Sequence, residues 1–132
     1  MKIKQIYLID DDAEDVEIFL EALDSLNRGY LHSAAINPIN ALKELKDSDK
    51  RPDIIFVDIN MPCMNGYEFL RSVRNTSGLN EVPVVLMSNP HKEFVIPKIR
   101  QYDKVGYLTK PASFGTLKSS LKKLLDLADE AS

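Results

Sequence analysis

The chain has 132 residues, of which 44% are hydrophobic, so it can bury the core of one domain without disulfides. Its net charge of −3 provides no basic surface for DNA or RNA, and its single cysteine excludes a disulfide framework. No apolar run approaches the ~20 residues of a membrane span. We therefore expect a single cytoplasmic domain over residues 1–132, with neither nucleic-acid nor membrane partners.

Short apolar runs alternate with amphipathic segments, which is the pattern of βαβ units built around a parallel sheet. Five runs predict strands, and the second of them is the weakest. These runs are Gln5–Ile9, Leu31–Ile36, Ile54–Val57, Val84–Met87 and Gly106–Leu108.

The segments after these runs predict five helices. The first ends near Gly29, the second opens at Asn37 as N-cap with Pro38 at the first helical position, and the third begins near Gly66. Pro97 predicts that the fourth helix is short or begins late, because an interior proline removes a hydrogen bond. The last helix is predicted to begin at Ser113 and to bury one face, made of Phe114, Leu117, Leu121, Leu124 and Ala128.

The strict alternation predicts an α/β domain with a doubly wound five-stranded parallel sheet and five helices. In such sheets the working site lies beyond the carboxyl ends of the strands. Polar side chains follow four of the five predicted strands at that edge. They are Asp10, Asp11 and Asp12, then Asp58 and Asn60, then Ser88 and Asn89, and finally Thr109, Lys110 and Pro111.

Carboxylates gathered in one cleft repel each other unless a cation neutralises them. A few hard oxygen ligands with room for water and a phosphoryl group favour Mg²⁺, and no cluster of His and Cys indicates zinc. Beside a divalent ion, a carboxylate such as Asp58 can attack phosphorus and form an aspartyl-phosphate. Lys110 and Ser88 are the candidates for stabilising the phosphoryl oxygens.

The chain resembles the receiver domain of two-component response regulators, especially the stand-alone chemotaxis type. The resemblance rests on "LIDDD", on "VDINMPCMNG", on Ser88 placed after Asp58, and on "GYLTKP", which contains Lys110. It covers the chain from Gln5 to about Ala128 and implies a flavodoxin-like sheet with strand order 2-1-3-4-5.

The resemblance implies a role for each acidic residue of the cleft. Asp58 would be the phosphoacceptor and a metal ligand, and Asp11 would bind Mg²⁺ directly. Asp10 would act on the metal through a water molecule, and Asn60 would contribute its backbone carbonyl.

The resemblance also implies the residues of the switch. Ser88 would hydrogen-bond the phosphoryl group, Lys110 would pair with it, and Tyr107 would follow Ser88 as the aromatic switch residue. The bond between Lys110 and Pro111 would be cis.

The implied function is a switch that accepts a phosphoryl group from a histidine kinase or a histidine phosphotransfer protein. Phosphorylation would change the surface formed by the fourth helix, fifth strand and fifth helix, and with it the choice of an unknown downstream protein. No output domain is expected, the protein would be a monomer or a phosphorylation-dependent dimer, and it would catalyse only its own phosphorylation and dephosphorylation.

Two alternatives remain at the level of the sequence. Asn89 and Pro90 depart from the family pattern beside the site, which leaves open an interaction module that works without phosphorylation. Pro97 and the pair Asp103-Lys104 also depart from it, and they concern the output surface. An aspartate-nucleophile phosphatase is disfavoured, because such an enzyme needs a second acid where this chain has Asn60.

Overall fold

The computed structural model describes residues 2–49, 51–88, 92–110 and 113–131. Its strands, in chain order, are β1 (Gln5–Ile9), β2 (Leu31–Ala35), β3 (Ile54–Asp58), β4 (Val84–Ser88) and β5 (Val105–Thr109). The helices that alternate with them are α1 (Ala13–Ser25), α2 (Pro38–Asp47), α3 (Gly66–Arg74), α4 (Lys92–Ile99) and α5 (Phe114–Ala131).

The strands form one parallel sheet in the order β2-β1-β3-β4-β5. This confirms the predicted doubly wound, flavodoxin-like fold. Within the described part of the chain, no helix is both long and apolar enough to cross a membrane.

The sheet divides the core into two layers. Side chains from α2, α3 and α4 cover one face and include Leu42, Phe69 and Val95, whereas α1 and α5 cover the other. On that second face Phe19 of α1 meets Phe56 of β3 edge to face, with ring centroids 5.0 Å apart. Because β3 is covered on both faces, every one of its residues is buried, as expected for the central strand of a parallel sheet.

Helices α1 and α2 each begin at an N-cap residue, of which Asn37 is the one that the sequence predicted. The side chain of Asp12 accepts hydrogen bonds from the backbone N–H groups of Glu14 and Asp15 at the start of α1. The side chain of Asn37 caps α2, whose first residue is Pro38. These caps satisfy backbone donors that have no partner inside the helix.

Several helices and strands begin or end at residues other than those predicted from the sequence. Helix α1 ends at Ser25, before Gly29, because Asn27 and Gly29 both adopt positive φ angles, of 55° and 69°. Strand β2 is one residue shorter than predicted, and β3 and β4 each extend one residue further, to Asp58 and Ser88. Strand β5 gains one residue at each end, Val105 and Thr109.

The prediction that Phe114 is buried was wrong. Phe114 is the first residue of α5 and is 43% exposed, because the buried stripe of this helix begins one turn later, at Leu117, and continues through Leu121 and Leu125. Helix α4 is short, as predicted, but it begins at Lys92 and contains Pro97. It ends two residues after this proline, at Ile99.

Candidate functional site

The carboxylate of Asp58 lies at the end of the central strand. The residue is only 6% exposed, and its Oδ1 accepts a hydrogen bond of 3.2 Å from the backbone N–H of Asn60. Burial raises the pKa of Asp58 above its ordinary value, the positive charge of Lys110 opposes that rise, and the negative charge of Asp10 adds to it. The site therefore contains a carboxylate that is costly to ionise without a further cation.

Two more carboxylates lie beside Asp58. Asp10 and Asp11 follow β1, and each offers an oxygen such that the ligand atoms of all three residues lie within 4.8 Å of one another. Asp10 is 2% exposed, whereas Asp11 is exposed to solvent. A group of carboxylate oxygens this close, with one side open, fits a hard divalent cation that keeps some of its water.

Lys110 is the cation that the structure places against these acids. Its Nζ lies 2.8 Å from Oδ2 of Asp10, 3.0 Å from Oδ2 of Asp15 and 3.4 Å from Oδ2 of Asp58. Burial alone would lower the pKa of Lys110, but hydrogen bonds to Asp10 and Asp15 and the nearby charges outweigh it, so the pKa is raised. The side chain therefore stays protonated.

Asp15 is the site residue that the sequence interpretation did not identify. It belongs to the first turn of α1, which starts directly after the acidic run that follows β1. The sequence feature that could have pointed to Asp15 was its position in the first turn of α1. The start of α1 lies at the same edge of the sheet as the carboxyl end of β5. Without the fold, however, an acid in a first helical turn is explained by the helix dipole alone.

Ser88 and Tyr107 are in contact. Ser88 ends β4 and is 8% exposed, and its Oγ lies 2.9 Å from the hydroxyl of Tyr107 on β5. The backbone N–H of Lys110 donates to the carbonyl of Ser88 at 2.7 Å, so the ends of β4 and β5 are held together. The two predicted switch residues are thus adjacent, and their role stays a prediction.

The loop after Asp58 folds back tightly onto the strand. Gly66 donates its N–H to the carbonyl of Ile59 at 3.0 Å, and a Cβ at this glycine would lie 2.8 Å from Cα of Ile59. Asn65 and Glu68 form a capping box that starts α3 at once. Only glycine can approach the backbone of Ile59 this closely, so Gly66 sets the conformation of the loop that follows Asp58.

Some features singled out in the sequence fall outside the described residues, namely Asn89, Pro90 and the predicted cis bond to Pro111. Lys104, one of the residues that depart from the family pattern, lies within the described part of the chain. This residue has a positive φ of 57°, and its Nζ lies 2.8 Å from a carboxylate oxygen of Glu81. Lys104, the residue directly before β5, thus adopts a left-handed backbone conformation, which glycine adopts more readily than lysine.

Residues 6–122 match the family model of the response regulator receiver domain. The chain therefore belongs to this family, whose members act as phosphorylation-regulated signalling switches of two-component systems and generally are not metabolic enzymes.

Known proteins of similar sequence agree with this assignment. Chemotaxis protein CheY-3 of Vibrio cholerae is 30% identical over 122 residues, which cover 92% of each chain. Sensor histidine kinase CheAY of Helicobacter pylori is 31% identical over 127 residues, which cover 96% of this chain but 16% of that protein. The chain also spans only 64%, 48% and 47% of three further curated relatives.

The fold is shared with solved structures. The crystal structure of the phosphorylated cyanobacterial phytochrome response regulator RcpA superposes with a TM-score of 0.85, covering 98% of this chain and 96% of that one. The two sequences are 24% identical, so this likeness concerns the fold.

Proposed function

We propose that Asp58 accepts a phosphoryl group from a histidine kinase or a histidine phosphotransfer protein. The observation that carries the proposal is the arrangement of three carboxylate ligand atoms within 4.8 Å of one another, next to the ammonium of Lys110. In the transfer, an Oδ atom of Asp58 forms a bond to phosphorus while the bond between phosphorus and the donor histidine nitrogen breaks.

The acidic cluster fits Mg²⁺, because its donors are hard oxygens. Asp11 and Asp58 would hold the ion directly, Asp10 through water, and Asn60 through its backbone carbonyl. Bound Mg²⁺ would offset negative charge on the phosphoryl oxygens. Asp10 and Asp11 supply the negative charge that attracts the ion, and Lys110 supplies a second positive charge.

Lys110 and Ser88 would stabilise the transferred group from the protein side. The ammonium of Lys110 already lies 3.4 Å from Oδ2 of Asp58, and Ser88 is the last residue of β4, the strand that pairs with β3. In the unphosphorylated protein Ser88 Oγ is engaged with the Tyr107 hydroxyl. We propose that Ser88 turns to the phosphoryl group and that Tyr107 moves with it, which alters the surface of α4, β5 and α5.

That surface would select the downstream protein, whose identity the proposal leaves open. The change would be a shift between two populations rather than a new state, so the unphosphorylated protein would sample the active form to some extent. The protein would act as a monomer or as a phosphorylation-dependent dimer.

The test is phosphorylation by a small donor. The protein is incubated with Mg²⁺ and acetyl phosphate, and intact mass is followed alongside the near-ultraviolet signal of its tyrosines. We expect one phosphoryl group on the wild type and none on Asp58→Asn, which keeps the shape of the acceptor but cannot form the bond.

Three outcomes separate the possibilities. A single adduct that depends on Asp58 and Mg²⁺ supports the switch. No adduct on the wild type would refute the proposal and favour a module that acts without phosphorylation. Continuous release of phosphate from many phosphate esters would instead indicate a phosphatase.

A further inference from the structure

Lys110 contacts one more carboxylate than the proposed chemistry uses. An ammonium has three N–H donors, and two of those of Lys110 meet Asp10 and Asp15 at 2.8 and 3.0 Å. The contact with Asp58, at 3.4 Å, is a longer ion pair. The ammonium that would pair with a phosphoryl group on Asp58 is therefore already hydrogen-bonded to two other carboxylates.

The two occupying acids differ in burial. The side chain of Asp10 is 3% exposed, whereas that of Asp15 is 42% exposed. A carboxylate that loses its partner inside the protein keeps an unpaired buried charge, but one at the surface is solvated by water. If Lys110 must give up a partner, releasing Asp15 costs less than releasing Asp10.

Phosphorylation of Asp58 would create that requirement. The new phosphoryl oxygens carry more negative charge than the carboxylate, and they compete for the same ammonium. The backbone of Asp15 is held near Lys110, because Asp15 lies in the first turn of α1 and its backbone N–H donates to Oδ1 of Asp12 at 3.2 Å. Its carboxylate can therefore compete with the phosphoryl oxygens for the ammonium.

We infer that Asp15 is a positioning residue that holds Lys110 in the unphosphorylated protein and competes with the phosphoryl group for it. It would thereby lower the occupancy and the lifetime of the phosphorylated state. The inference rests on the proposed function of Asp58 and adds to it a residue that tunes the equilibrium of the switch.

The test compares two variants that each remove one negative charge from the start of α1. Asp15→Asn releases Lys110. Asp12→Asn is the matched control, because Asn is as good an N-cap as Asp, and among the described residues Asp12 forms neither a hydrogen bond nor an ion pair with Lys110. Asp15→Glu keeps the charge and serves as the conservative variant.

The readout is the beryllofluoride concentration that gives half-saturation at fixed Mg²⁺, followed by tyrosine absorbance or by NMR. A partly exposed ion pair of this kind corresponds to an effect of about two- to five-fold. We expect Asp15→Asn to bind the phosphoryl mimic that much more tightly than the wild type and to keep the acetyl phosphate-derived group longer. Asp12→Asn and Asp15→Glu are expected to stay close to the wild type.

Each result has a distinct meaning. If Asp15→Asn and Asp12→Asn respond equally, only general charge matters, and the inference is overturned while the proposed function stands. Weaker binding by Asp15→Asn would also overturn it, since Asp15 would then assist rather than compete. If the wild type binds neither beryllofluoride nor a phosphoryl group, the proposed function fails, and the inference fails with it. Thermal unfolding of each variant distinguishes these effects from loss of structure.

Discussion

Two side chains in or directly after β1 have buried polar atoms, and they differ in whether those atoms form hydrogen bonds. At its carboxyl end, Asp10 is 2% exposed, and its carboxylate accepts hydrogen bonds from Lys110 and from the backbone of Asp12. Inside the strand, Tyr7 is 5% exposed, and its hydroxyl has no hydrogen-bond partner among the described residues.

The surroundings of Tyr7 explain how the second arrangement persists. Its side chain belongs to the core layer that includes Leu42 of α2, and Tyr7 lines a cleft of about 220 Å³ together with Glu44, Ser33 and His32. Burial is the main cause that raises the pKa of Tyr7 to about 12, and the carboxylate of Glu44 adds to it through its charge and through an interaction with the hydroxyl that does not reach hydrogen-bond geometry. The hydroxyl therefore stays neutral, and a neutral group without a partner costs far less than a buried charge.

A buried charged group needs a partner of opposite charge or several hydrogen bonds, whereas a buried neutral hydroxyl can persist without a partner. The three acids of the site share the one positive charge of Lys110, so the described residues of the site carry more negative than positive charge. Tyr7 needs no such compensation. Changes in the site should therefore alter stability strongly and in a metal-dependent manner, and a change at Tyr7 should not.

The largest effect is expected for Lys110→Met measured without metal. This variant leaves the buried carboxylates of Asp10 and Asp58 without their cation, which corresponds to a loss of about 3 kcal/mol in the free energy of unfolding. Urea unfolding with a chelator present measures it. The control is Lys122→Met, because Lys122 forms an ion pair of 3.3 Å with Asp126 in which its side chain is 59% exposed. Equal losses in the two variants would contradict the role assigned to Lys110.

A smaller effect of opposite sign is expected for Asp58→Asn. Because the folded-state pKa of Asp58 is raised, its stabilising contribution is present below the unfolded value of about 3.9 and is lost as pH rises through the folded value. At neutral pH without metal the ionised carboxylate is a cost, so the variant should be more stable, by about 1 kcal/mol.

Two comparisons test this explanation. The advantage of Asp58→Asn should vanish towards pH 3, where the carboxyl group is protonated in both states. Added Mg²⁺ should stabilise the wild type more than the variant, because binding to the folded state adds to its stability. A variant that is less stable than the wild type in chelator at pH 7 would show that Asp58 is not destabilised by burial.

The smallest effect is expected for Tyr7→Phe. Removing a hydroxyl that has no hydrogen-bond partner in the described part of the chain should leave the free energy of unfolding within about 0.5 kcal/mol of the wild type near neutral pH. Above pH 10 the difference should grow in favour of the variant, since the unfolded tyrosine ionises there while the folded one titrates only at about 12. Urea titrations at pH 7 and at pH 10.5 measure both parts. A clear loss of stability at pH 7 would mean that the hydroxyl has a bound partner, such as an ordered water.

The sequence by itself determined the parts of this protein that depend on local pattern. The alternation of apolar runs and amphipathic segments predicted the fold class, and the N-caps at Asp12 and Asn37 follow from local hydrogen bonding. The acids and the lysine at the strand ends also followed from the pattern, because parallel strands bring their carboxyl ends to one edge of the sheet.

Only the tertiary structure decided which of these groups touch. The contact between Lys110 and Asp15 joins residues 95 positions apart, so it depends on how α1 lies against the end of β5. The exposure of Phe114 depends likewise on how helices lie over the sheet, and so does the position of the Tyr7 hydroxyl, for which the described residues offer no hydrogen-bond partner. A pattern of residue types fixes which face of an element is apolar, but the partner of each polar atom is set by the packing of elements that are distant in sequence.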